Sequence, residues 1–153
     1  MSSHETFMRA ALKLAQDAAS HGEIPVGAVI VRDGVIIGSG MNCNRKLQNP
    51  TRHAEMTAIE EACSATGNER LNGCSIYVTK EPCAMCAGAI IHARIDEVYI
   101  AAQDHRFGAC GTALQVCGNP QLNHVPLIHF GLLREEASSL LSSFFQNIRE
   151  KRK

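Results

Sequence analysis

Apolar residues recur along the chain with two periods, and the switches between them mark the elements. Phe7, Ala11, Leu14, Ala15 and Ala18 follow helical spacing, after a Ser2 with Glu5 three positions on, the pattern of a capping box. His21-Gly22 suits the left-handed turn that closes such a helix. Residues 26–31 and 35–37 are apolar runs around Asp33-Gly34, which predicts a β-hairpin. Residues 39–52, rich in Asn, Gly and Arg, read as a loop. A second helix is expected over 52–65, with Met56, Ile59 and Cys63 on its buried stripe. Residues 75–79 read as a strand, and Pro82 fits the first position of a third helix running to residue 93. A fourth strand over 97–101, an irregular stretch over 102–124 and a fifth strand over 127–130 follow. The closing helix, 134–149, is apolar at Leu140, Leu141, Phe144, Phe145 and Ile148.

This α-β-β-α-β-α-β-β-α order predicts an α/β fold of three layers, one five-stranded sheet between helices. No repeat, linker or low-complexity tract interrupts it, so a single domain over 1–153 is expected. Apolar residues at 45% and charged ones at 20% argue against disorder. Lys plus Arg equals Asp plus Glu at 15 each, so net charge gives no sign of a nucleic-acid partner, and any such sign must be local. Residues 2–13 are polar and amphipathic rather than a leader, and no apolar run approaches the roughly 18 residues of a membrane span. A cytoplasmic protein with reduced thiols and no membrane partner is expected. Of seven cysteines only Cys83 and Cys86 sit close together, which points to metal or redox chemistry. The others read as small hydrophobes.

Two segments carry that chemistry: His53-Ala54-Glu55 and Pro82-Cys83-Ala84-Met85-Cys86. Each opens a predicted helix, and side chains in a first helical turn lean back toward its start. Cys83 and Cys86, three apart, share a face, and His53 can supply a third ligand. Two thiolates and an imidazole suit Zn2+ and leave its fourth position open for water, as in a catalytic site. The positive end of the helix dipole favours the thiolates. Glu55 follows His53 by two, off its direct line to the metal but able to reach the water from beside it, the place of a proton shuttle. The N–H of Ala54 is an unpaired helix-start donor, able to meet a base edge or ligand oxygen. H-x-E followed by P-C-x-x-C is a signature of zinc nucleobase deaminases. A redox pair would leave His53 and Glu55 unexplained. A structural zinc would need a fourth ligand, for which His92, Cys74 and Cys110 are conceivable.

With these residues in view the chain resembles the bacterial tRNA-specific adenosine deaminases. The resemblance spans nearly the whole chain, through residues 24–29, 53–56, 81–90 and 91–95, Asp104 with Gly108-Ala109, Asn123-His124 and residues 143–145. It implies a cytidine deaminase-like fold with a central mixed sheet, one Zn2+ per subunit, a homodimer and no nucleotide cofactor. It also implies hydrolytic conversion of adenosine to inosine at the wobble position of a tRNA anticodon stem-loop, that of an arginine tRNA. Asn42 then resembles a base-contacting residue, Ile24 and Pro25 part of the pocket wall, and Asp104 a contact to the nucleotide beside the target. Asn123, Phe145 and Arg149 resemble RNA contacts. On their own residues, Asn42 also reads as a turn former, Asp104 as a loop cap, and Phe144 and Phe145 as core. The basic end from Arg149 to Lys153 reads equally as a phosphate contact or a solvated terminus. Phe107 is bulkier than is usual in this family, and Cys110 and Cys117 are additional thiols. Two rivals remain: a deaminase of free guanine- or cytosine-type bases or nucleosides, and a noncatalytic zinc-containing RNA-binding module.

Overall fold

The computed structural model describes residues 2–152, so Lys153 of the basic terminus lies outside it. In chain order the elements are α1 (Ser3–Ser20), β1 (Gly27–Arg32), β2 (Val35–Met41), α2 (Ala54–Thr66), β3 (Cys74–Lys80), α3 (Ala84–Ala93), β4 (Glu97–Ala102), β5 (Leu127–Phe130) and α4 (Arg134–Lys151).

The strands form one sheet in the order β2-β1-β3-β4-β5. β1 runs antiparallel to β2 and β3, whereas β3, β4 and β5 are parallel. Helices α1 and α4 cover one face, α2 and α3 the other. Along β1, Ala28 and Ile30 enter the core beneath α2 and α3, while Val29 and Val31 enter the core beneath α1. A strand covered on both faces reads as a continuous apolar run, which is what the sequence presents.

Helix α1 starts where Ser2 accepts the Glu5 N–H at 3.1 Å. Its fully buried face is Met8, Ala11, Leu12, Ala15 and Ala18, so Phe7 and Leu14 of the expected stripe lie only half-buried. The shift brings small residues against the sheet: a Cβ at Gly27 would stand 2.0 Å from the Ala11 carbonyl oxygen. The β1–β2 turn has positive φ at Asp33 (51°) and Gly34 (76°), the conformation that a two-residue hairpin matching strand twist requires.

Strand β2 continues to Met41, through residues that read as loop. Its glycines are contact points rather than loop formers. A Cβ at Gly38 would lie 2.3 Å from the Ala58 carbonyl oxygen, and one at Gly40 2.3 Å from that of Ala54. At that approach only alanine fits between helix and strand. The buried face of α2 is accordingly Ala54, Glu55, Ala58 and Ala62, and Met56, Ile59 and Cys63 are displaced to its half-buried flanks.

Both site helices begin later than their sequence suggests. His53 and Cys83 are N-cap residues in extended conformation, preceding α2 and α3. Pro82 therefore stands before the cap, and its carbonyl accepts the Ala109 N–H at 2.8 Å. In α4, which runs to Lys151, only Ala137 is fully buried; Phe144 is half-buried and Phe145 exposed. Among the described residues no helix is long and apolar enough to cross a membrane.

Candidate metal centre and cleft

The N-cap geometry assembles the centre. Neither His53 nor Cys83 uses its side chain to cap its own helix, so both are free to turn toward each other. His53 Nδ1 lies 3.6 Å from Cys83 Sγ and 3.6 Å from Cys86 Sγ. Tetrahedral zinc with Zn–S near 2.3 Å and Zn–N near 2.0 Å separates N from S by about 3.5 Å, so the donors already stand at ligand spacing. One ligand atom from each of the three lies within 4.8 Å of the other two.

Charge makes the same demand. The Cys86 thiol's hydrogen bond, aided by His53, overcomes burial and lowers Cys83 to about 3. The Cys83 side chain and burial in turn push Cys86 up, away from ionisation. The pair holds one thiolate, and a divalent cation between them is what allows both to ionise. The hydrogen bond to Cys83 also raises His53, which a metal ligand must instead keep neutral at Nδ1.

Glu55 is 4% exposed. Burial, the largest influence, pushes its carboxyl up to about 6. The helical angle that sets it apart from His53 does not apply, because His53 precedes the helix. Glu55 and the metal donors His53 and Cys83 border one cleft of about 660 Å³.

That cleft opens at the carboxyl ends of parallel strands β3 and β4, the usual place for a site in an α/β sheet. Ile24, Asn42, Asp104 and Phe145 also border it. Pro25, expected in the wall, is instead buried behind it. Asn123 and Arg149 are exposed, away from the cleft lining. The N–H of Ala54 does not face a ligand; it donates to Asn42 Oδ1 at 2.9 Å, within the buried interior. That bond fixes the Asn42 amide at the border of the cleft.

Several shaping residues carry no local sequence signal. Glu81, 3% exposed, accepts N–H bonds from Asp104 (3.1 Å), Cys110 (3.0 Å) and Thr112 (3.3 Å). It thereby holds the wall over 104–112 as one frame. Glu23, also buried, does the same for the opposite loop, accepting from the Arg45 and Lys46 N–H groups. Asp104 pairs with Lys80 at 3.1 Å, and its other oxygen accepts from Arg106 and Phe107 N–H. Burial alone would raise its carboxyl, but those donors and Lys80 outweigh it and hold it below the usual range.

Residues 1–102 match the profile of the cytidine and deoxycytidylate deaminase zinc-binding region. The chain belongs to this family. The deaminase is 41% identical to a tRNA-specific adenosine deaminase of Bacillus subtilis, over 100% of this chain and 95% of that one. Its fold superposes with a TM-score of 0.86 on a solved tRNA:A34 deaminase of wobble-position A-to-I editing, at 43% identity, covering 89% of this chain and 99% of that one. A guanine deaminase of Bacillus subtilis is 47% identical over 67% of this chain and 66% of its own, with a TM-score of 0.63. The deaminase is thus an enzyme of a zinc-binding family, with a cytidine deaminase-like fold and one His/Cys/Cys group fit for one Zn2+.

Proposed function

We propose that this enzyme hydrolyses the wobble adenosine of a tRNA anticodon, that of an arginine tRNA, to inosine and ammonia in the cytoplasm. The observation that carries a hydrolytic deaminase is the buried Glu55 carboxyl lining the same cleft as His53 and Cys83, which with Cys86 form the donor group. Adenosine in tRNA comes from the full-length relatives.

His53, Cys83 and Cys86 would hold the zinc, which when bound supplies a Lewis acid that brings a water's pKa toward neutrality. Glu55 takes the proton of the attacking water. It delivers that proton to the ring nitrogen beside C6 as the hydroxyl adds to that carbon, then takes the proton of the added hydroxyl and passes it to the amine, whose bond to C6 breaks to release ammonia. A carboxyl already raised by burial exchanges protons near neutral pH, as this double role requires. Asn42, its oxygen committed to Ala54, offers its amide N–H groups to the base. The target must leave its stack to reach this cleft, a small cost in an anticodon loop of splayed bases.

Two subunits are proposed to associate. Helix α3 has no Asp, Glu, Lys or Arg, yet Ala84, Met85, Gly88 and Ala89 are not fully buried in the single chain. The likeness to a guanine deaminase keeps a free-base reading in the test. Metal-loaded enzyme is expected to form inosine in an anticodon stem-loop. Chelator or Glu55→Ala should lower the rate at least a hundredfold. Faster ammonia release from free guanine or cytosine would replace the tRNA reading. Undiminished turnover by Glu55→Ala would sink the catalytic one.

A further inference from the structure

Phe107 stands at the cleft with 58% of its surface exposed. A lone surface phenyl needs no explanation, but this one is held in place. Asp104 Oδ1 accepts its N–H at 3.1 Å and that of Arg106 at 3.0 Å. Asp104 is itself tied to Lys80 and, through its own N–H, to the buried Glu81. The next residue, Gly108, packs so closely that a Cβ there would lie 2.5 Å from the Glu81 carboxyl. The loop therefore fixes the backbone from which the ring projects, so less ordering is left to pay on binding. The Arg106 guanidinium lies 5.3 Å from the ring centroid. Phe145, on α4, exposes a second ring to the same cleft.

We propose that the Arg106–Phe107 pair is a stacking platform for an unpaired nucleobase flanking the target adenosine. The inference rests on the tRNA reading above and goes beyond it by assigning a recognition role to residues outside the catalytic centre. A fixed aromatic ring meets the face of any base, and a guanidinium beside it adds charge for the adjoining phosphate. The pair acts on affinity: the base beside the target stacks while the target descends to Glu55.

The sequence has no tryptophan, so a Phe107→Trp variant carries a single indole reporter. Its emission is expected to be quenched on binding an anticodon stem-loop. Phe107→Ala should weaken that binding by about fivefold or more, the ordinary effect of removing a stacked aromatic, with kcat little changed. Phe107→Trp should restore affinity. A stem-loop made abasic at the stacked flanking position should bind wild type and Phe107→Ala equally. Equal affinity of the two proteins for intact RNA overturns the platform, as does a loss that persists with abasic nucleotides at each flanking position. If inosine forms while indole emission is unmoved, the platform fails and the tRNA reading stands. If wild type neither binds the stem-loop nor forms inosine, both fall.

Discussion

Glu55 carries a charge that the fold resists. Its carboxyl titrates near 6 rather than at the ordinary 4.5, chiefly through burial. A raised folded value means that the favourable contribution is complete below pH 4.5 and is lost as pH rises through 6. In metal-free protein that loss amounts to roughly 2 kcal/mol, at 1.36 kcal/mol per pH unit. Glu55→Gln stays neutral throughout. The stability of metal-free Glu55→Gln relative to metal-free wild type should therefore grow by about 2 kcal/mol between pH 4 and pH 7, read by urea unfolding. Parallel curves would refute the burial account. The residue types and spacing of this centre were legible because zinc chemistry restricts them to few combinations. Asn42 was legible only as ambiguous, since its acceptor role depends on meeting the Ala54 N–H across 12 residues.

Elements were legible where periodicity is set within one segment, and illegible where another segment decides. The Asp33-Gly34 turn declares itself by its own backbone needs. Gly38 and Gly40 do not, because their purpose is the helix lying on them. The same pressure turned the buried stripe of α2 from Met56, Ile59 and Cys63 to alanines. It also makes Gly40→Ala a sharp test. The new methyl would drive α2, whose N-cap is the donor His53, off the sheet. A loss of about 1–3 kcal/mol in thermal unfolding is expected, together with weaker zinc retention by metal analysis. Gly88→Ala in α3, with nothing within 4 Å in the single chain, should instead leave the dissociated monomer unaffected or stabilise it by up to about 1 kcal/mol through helix propensity. Equal effects of the two would remove close packing as the cause.

Across the whole molecule, the centre joins the starts of two helices that share the sheet face beneath α2 and α3. Metal bound there stabilises the folded chain by mass action, about 4 kcal/mol at a thousandfold excess over Kd. For a chain of this size that corresponds to a shift in Tm on the order of 10 °C. Chelation should produce such a fall in wild type and a much smaller one in Cys86→Ser, by calorimetry. An unchanged Tm in protein shown to have lost its metal would mean that the centre adds nothing to stability. The order of elements and the layers could be read from pattern. The wall over 104–112 could not, since one buried carboxylate gathers its peptide N–H groups and side-chain pattern records nothing of that.

That mode of attachment bears on how such a protein diverges. The wall is fastened by amides, which every residue but proline possesses, so its frame is indifferent to what hangs from positions 105–107. Replacements there can accumulate one at a time while the metal ligands and the acid stay untouched. The segment that meets the substrate is thereby uncoupled from the segment that performs the chemistry. A phenyl at 107 is one outcome of that freedom, and a lineage could retune which RNA loop it accepts without passing through an inactive ancestor.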